Sequence, residues 1–186
     1  MREALTAWSA AQARADALSA SRLLYDAHMG TGGVAPLPGT LAVTYDGNRV
    51  LTANLTGPFG ARIADYVKGT VSGKDERALV IDPTALRSVL AGVWSGPPAK
   101  VAGRDGADCL LTWDGPYQVD AVLDVAEKRV RSLRIIGNGG RLEVSYSGSV
   151  SPWPERIAVR DARSGRSLSL ALLAVEPAPA EGKPQG

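Results

Sequence analysis

The chain has 186 residues, 45% apolar and 22% charged, with a formal charge of +2. That size and balance give one globular domain with a real core and exclude a mostly disordered chain. Cys109 and His28 are each the single residue of their kind, which excludes an internal disulfide, a cysteine metal cluster and most histidine-based catalysis.

Residues 3 to about 20 (EALTAWSAAQARADALSA) are rich in Ala and free of Pro and Gly. Leu5, Trp8, Ala11, Ala15 and Leu18 recur at three and four, one stripe of an amphipathic helix anchored by Trp8. From Ser21 the period becomes two. SRLLYDAHMG reads as a strand, and GTGGVAPLPG, with four Gly and two Pro in ten residues, reads as a loop. LAVTY places Leu41, Val43 and Tyr45 on one face, and Asp46-Gly47 is a hairpin signal. NRVLTANLTG continues with Leu51, Ala53 and Leu55 facing one way. Gly57-Pro58-Phe59-Gly60 is turn chemistry holding the single Phe of the chain. ARIADYVKGTV and RALVI read as one strand each.

Asp82-Pro83 opens a second helix, because Asp can cap it and Pro is tolerated at the first helical position. Leu86, Val89, Leu90 and Val93 form its apolar stripe, and Ser95-Gly96-Pro97-Pro98 ends it. CLLTW follows, carrying Leu111 and Trp113, and then YQVDAVLDV, with Val119, Ala121, Leu123 and Val125 alternating against Gln118, Asp120 and Asp124. RVRSLRII, RLEVSYSG, ERIAVRD and SLSLALLAV complete the strands. Residues 1–176 are read as one domain and 177–186 as a disordered, Pro-rich tail.

Short turns link almost all the strands, which argues for an antiparallel meander rather than βαβ units. A sheet of about ten or eleven strands curls, because twist accumulates. The expected fold is therefore mostly β: a curled, unclosed antiparallel barrel with the N-terminal helix and the short mid-chain helix against its concave face.

A search for chemistry finds no catalytic constellation. His28 lies inside a strand pattern with no nucleophile elbow, so it reads as a surface or edge histidine. Asp120 and Asp124 are roughly 13 Å apart on one strand face, too far for a paired acid and base, and both are expected to face water. Arg129 and Arg131 share a strand face with Arg134 opposite, a solvated face rather than a nucleic-acid stripe. Cys109 reads as a small buried hydrophobe. No apolar run approaches the ~20 residues of a membrane-spanning helix, and no secretory leader pattern opens the chain. Composition leaves two interiors open, a filled core or an apolar cavity for alkyl chains.

The order of elements, together with GTLAVTYDGNRV, RVLTANLTGPFG, ALRSVLAGVWSG, SYSGS and PERIAVRDARSGRSLSLAL, resembles the LolA/LolB lipoprotein-carrier family, and within it the LolB branch. The resemblance spans residues 5 to 175. It implies an unclosed barrel whose apolar cavity receives the acyl chains of lipoproteins. It also implies that Pro58, Phe59 and Gly60 form a protruding loop that touches the membrane. The lid is expected to be reduced to one helix, with GTGGVAPLPG a local addition.

On this reading the chain is a non-enzymatic carrier or receptor of the bacterial envelope, periplasmic or outer-membrane-associated, whose native anchor or signal peptide is not in this chain. Its cavity candidates are Leu41, Val43, Tyr45, Leu51, Ala53, Leu55, Leu111, Trp113, Val119, Ala121 and Leu123, with Leu86, Val89 and Leu90 from the helix. Its expected partners are acylated lipoprotein or lipid cargo, a periplasmic LolA-like donor and a membrane surface, with no cofactor, metal or nucleic acid, and it is expected to be a monomer. The rival is an envelope interaction module with a packed core and no cargo. Phe59 has its own alternative, folding back over the rim onto the first helix.

Overall fold

The computed structural model describes residues 2–31, 35–67, 70–73, 81, 83–103, 108–137, 140–150 and 152–178. Helix α1 (Arg2–Asp16) has Glu3 in its first turn and Arg14 in its last, complementary to the helix dipole. It buries Ala4, Ala7, Trp8, Ala11 and Ala15, followed by Leu18. Leu5 does not join this face and is 41% exposed. At 100° per residue it lies a quarter turn from Ala4 and outside the arc through Ala4, Ala7, Ala11 and Leu18. The Ala-rich face lets the helix axis come close to the sheet, and Trp8 meets Trp113 edge to face at 4.9 Å.

Twelve described strands form one antiparallel sheet. The first half is β1 (Ser21–Thr31), β2 (Leu37–Tyr45), β3 (Val50–Thr56), β4 (Arg62–Val67) and β5 (Thr70–Gly73). Helix α2 (Pro83–Ala91) follows. The second half is β6 (Lys100–Gly103), β7 (Asp108–Trp113), β8 (Gln118–Asp124), β9 (Arg129–Gly137), β10 (Gly140–Val150), β11 (Pro154–Asp161) and β12 (Arg166–Pro177). Each strand pairs with its sequence neighbour within its half, and β1 pairs with β12 to join the halves. The sheet ends at β5 and β6, so the barrel is unclosed where the chain leaves to form α2.

Two elements differ from the sequence expectation. The segment ARIADYVKGTV makes two strands, β4 and β5, paired as a hairpin. The four-residue β6 has no alternating pattern to announce it and exists by pairing with β7. The expected RALVI strand lies outside the described residues except for Ile81, which is buried and in no strand. The tail from residue 179 also lies outside them; Pro177 pairs with Ser21 at the end of β12.

Alternate residues of each strand face inward. In β1 these are Ser21, Leu23, Tyr25, Ala27 and Met29, all buried. Bulges interrupt the alternation at specific points. In β3, Tyr45 pairs with Val50 and Thr44 with Thr52, leaving Leu51 as the extra residue. Val50 therefore takes the inward position expected of Leu51, which is only half-buried. In β12, Leu24 pairs with Ala174 and Tyr25 with Leu172, so Leu173 is extruded and 62% exposed. Beyond Ala171, β12 has β1 on one side and no described pairing with β11 on the other.

The bulge in β9 reverses two readings. Leu123 pairs with Val130 and Val122 with Ser132, with Arg131 between. Val130 and Leu133, an odd number apart, are consequently both buried, and Arg131 and Arg134 both lie on the outer face. Arg131 then reaches Asp124, whose side chain is 3% exposed rather than facing water. Asp124 Oδ1 accepts from the Glu127 N–H at 3.0 Å, and Oδ2 accepts from Arg131 Nη2 at 2.6 Å and Nε at 3.0 Å. The Glu127 amide, and after it the Arg131 guanidinium, hold the Asp124 carboxyl below the usual carboxylate range. Its folded pKa is depressed, so its stabilisation is present above the unfolded value of about 3.9 and is lost as pH falls through the folded value. Asp124→Asn is expected to cost about 1.5–3 kcal/mol near neutral pH. Urea unfolding of the two proteins should show that gap shrinking as pH is lowered below about 4.

Candidate functional site

The concave face is apolar and largely filled by the two helices. Of the sequence-nominated residues, Leu41, Val43, Tyr45, Ala53, Leu55, Leu86, Val89, Leu90, Leu111, Trp113, Val119, Ala121 and Leu123 are all buried in the core; only Leu51 falls outside it. All of the buried ones but Val43 and Tyr45 divide into two groups. Leu111, Trp113, Val119, Ala121 and Leu123 come from β7 and β8, and β8 packs against α1. Leu41, Ala53 and Leu55 instead converge with Leu86, Val89 and Leu90 of α2 on one cavity. Ala64, Asp65, Tyr66, Ile81, Leu168 and Leu170 complete its wall, and its volume is about 60 Å³.

Polar contacts secure α2 over this cavity. The Tyr146 hydroxyl donates to the Val89 carbonyl at 3.0 Å. Arg87 Nε donates to the Tyr45 hydroxyl at 3.3 Å, and Tyr45 in turn donates to the Gly47 carbonyl at 2.8 Å. Arg87 also bonds the Ser95 hydroxyl at 2.8 Å and lies 3.6 Å from Asp16 at the end of α1. Tyr45 packs edge to face on Trp153 at 5.1 Å. Trp113 Nε1–H donates to the Gly96 carbonyl at 3.0 Å, fixing the segment that follows α2.

Sequence reasoning missed the contribution of β1 and the C-terminal strands. Tyr25 and Ala27 in β1, Ile157 in β11 and Leu168 and Leu170 in β12 all face inward. The signal was present, since SRLLYDAHM and SLSLAL alternate as clearly as LAVTY. His28 lies on the outer face, exposed, with Nδ1 3.8 Å from Asp26. Cys109 is half-buried rather than a core residue.

The link between β3 and β4 has a defined geometry. The Gly57 N–H donates to the Ala61 carbonyl at 2.7 Å, closing the loop at its base. Two overlapping turns, closed by Gly60 N–H to the Gly57 carbonyl and Ala61 N–H to the Pro58 carbonyl, kink at Phe59, and a Cβ on Gly57 would come within 2.7 Å of the Ile63 side chain. Phe59 sits at φ 59° and ψ 23°, in the left-handed region. Its relative exposure is 108%, that of a free residue, so it does not fold back onto the first helix. The aromatic ring thus gains nothing from the fold, while the backbone beneath it carries the ~1–2 kcal/mol cost of a left-handed residue with a Cβ.

An unclosed antiparallel barrel holding its helices in the concavity is a LolA-like fold. Among solved structures, a LolA superfamily protein from Nitrosomonas europaea shares it at TM-score 0.59 and 12% identity, over 92% of this chain and 94% of that one. A DUF1329 family protein from Desulfovibrio piger overlays at TM-score 0.52 and 10% identity, over 96% of this chain and 94% of that one. A putative outer membrane lipoprotein-sorting protein domain from Vibrio parahaemolyticus matches at TM-score 0.49 and 12% identity, over 97% and 94% of the two chains. No protein-family model matches the chain, and no curated protein matches it. At these identities the likeness is one of fold.

Removing the Phe59 side chain should help the fold. Phe59→Gly is expected to raise unfolding free energy by up to about 1 kcal/mol, by relieving the left-handed strain. A chemical denaturation midpoint below that of the wild type would show that the ring has a packing role after all.

Proposed function

We propose that this protein is a lipid or lipoprotein carrier or receptor of the bacterial envelope, of the LolB-like kind, which accepts acyl chains beneath α2 and delivers them to a membrane. The observation that carries this reading is Phe59, a large apolar side chain held fully in solvent on a strained turn. Strain at a position with no internal contact points to a role outside the fold. Inserting one Phe into a bilayer contributes ~1.5–3 kcal/mol, enough to orient the molecule at a surface but too little to anchor it. A LolA-like donor would deliver the cargo on this reading. The side chains of Leu41, Ala53, Leu55, Leu86, Val89 and Leu90 suit alkyl chains because they are apolar, and the one carboxylate on the wall, Asp65, is paired with Arg62 at 3.0 Å.

The existing cavity of about 60 Å³ holds roughly two waters' worth of volume, far less than a lipid chain. Cargo must therefore displace α2, breaking the Tyr146–Val89 and Arg87–Tyr45 bonds. The same small volume supports a second reading, an envelope interaction module with a packed core and no cargo.

Native mass spectrometry of protein purified from a bacterial envelope separates the two. The carrier reading expects co-purified acylated lipid, and repeated absence of lipid favours the module. Ala53→Leu fills the cavity; it should stay folded and lose the lipid. Phe59→Glu should keep any bound lipid but reduce flotation with phospholipid vesicles several-fold, and unchanged flotation would remove the membrane role of the loop.

A further inference from the structure

Two phenol hydroxyls lie just behind the wall of the α2 cavity. Tyr25, in the middle of β1, is completely buried, and its hydroxyl has no hydrogen-bond partner. Tyr146, in β10, donates its hydroxyl to the Val89 carbonyl of α2 at 3.0 Å. Tyr45 shows the usual arrangement for a buried tyrosine: its hydroxyl donates to the Gly47 carbonyl at 2.8 Å. A buried O–H without an acceptor is costly, and a fold that needed only the ring at position 25 would be served better by phenylalanine. Packing alone therefore does not account for the Tyr25 hydroxyl.

Both hydroxyls adjoin the site beneath α2. Leu41, directly opposite Tyr25 in β2, is part of the cavity wall, and so is Val89, whose carbonyl Tyr146 holds. Burial, and after it the nearby Tyr25 phenol, pushes the Tyr146 phenol up, and burial pushes Tyr25 up as well. Both are thus neutral O–H groups at physiological pH, able to donate to an oxygen ligand without repelling it.

The carrier reading requires α2 to leave, and the Val89 carbonyl leaves with it. Two donors then face the incoming chain and no acceptor remains between them. A hydrocarbon chain offers none. A carbonyl oxygen replaces the lost group in kind, and its two lone pairs can accept from both hydroxyls.

We propose that Tyr25 and Tyr146 together bind a carbonyl oxygen of the cargo, so that the site selects acyl esters or amides over ether-linked or plain hydrocarbon chains. This inference rests on the carrier reading and on the displacement of α2 that it entails. Tyr146 exchanges a backbone carbonyl for a cargo carbonyl, and Tyr25 gains an acceptor it lacks in the closed protein. An ether oxygen, flanked by two methylenes, lacks the projecting oxygen that two donors can reach together. The selectivity arises because a site built to hydrogen-bond its ligand is left with unmet polar groups by an analogue that lacks the acceptor.

Native mass spectrometry of the full chain, offered an equal mixture of a diacyl phosphatidylcholine and its dialkyl ether counterpart of the same chain length, tests it. The wild type should hold the diacyl lipid in roughly tenfold excess, the discrimination that one unmet buried donor supplies. Tyr25→Phe should cut that ratio several-fold, and Tyr25→Phe combined with Tyr146→Phe should bring it to parity. Chemical denaturation of the lipid-free proteins gives a second readout. Tyr25→Phe should raise the midpoint, because it removes an unmet O–H, and Tyr146→Phe should lower it, because it leaves the Val89 carbonyl unpaired. A wild type that takes both lipids equally overturns the inference and leaves the carrier reading standing. A wild type that takes neither lipid removes both. A diacyl preference unchanged in Tyr25→Phe, or a Tyr25→Phe midpoint below that of the wild type, also overturns the role given to Tyr25.

Discussion

The fold rests on the pairing of its first strand with its last. Among the described strands, each other pair joins sequence neighbours, a local contact across a short stretch of chain. The β1–β12 ladder alone brings together segments about 150 residues apart, from Ser21 against Pro177 to Thr31 against Arg166. Without it the chain holds two separate curved half-sheets, each with an apolar face and no opposing wall. Such long-range closure carries a loop entropy that local hairpins do not, and it tends to form late. The buried row Leu23, Tyr25, Ala27 and Met29 lies along this seam. The apolar burial that offsets that entropy is thus concentrated where it is required.

The unclosed side is the complement of that seam. Because β5 and β6 do not pair, the concavity needs a cover, and the chain supplies one from the connection between them, α2. The two helices are held differently. Helix α1 meets β8 and β9 through an Ala-rich surface and the Trp8–Trp113 contact, a close fit with little room to shift. Helix α2 lies over the residual cavity and is tied by a few hydrogen bonds that can be exchanged for water. If one helix moves, the geometry favours the second.

Much of this was legible in the residues. Period-two alternation placed most strands and almost every inward residue of β2, β7 and β8, and Asp-Pro with SGPP bounded α2. The single Phe between Pro and Gly marked a loop tip, and its side chain is fully exposed there. What the sequence did not carry was the position of the bulges. An extra residue in β3 exchanged Leu51 for Val50, and another in β9 moved Arg134 to the face of Arg131 and let the exposed Arg131 cover the Asp124 carboxylate in an ion pair. A bulge is decided by how two twisted strands fit each other, and neither strand encodes it alone. The same applies to β6, four residues that are a strand because β7 is beside them. Leu5 was lost for a different reason: a stripe at threes and fours admits two neighbouring arcs, and only the contact with the sheet chooses between them.

The overhang of β12 beyond Ala171 has a consequence for how the protein behaves in quantity. Among the described residues it is an open strand edge bearing Leu173 and Val175, and a bare edge with apolar side chains is a template for amyloid-like stacking. Three features blunt it within a few residues: the bulge that extrudes Leu173, the charge of Glu176, and Pro177, which has no N–H to offer an incoming strand. The ladder that holds the two ends of the chain together therefore finishes in its own safeguard against polymerisation. Shelf life at high concentration should depend on those three residues more than on the stability of the barrel.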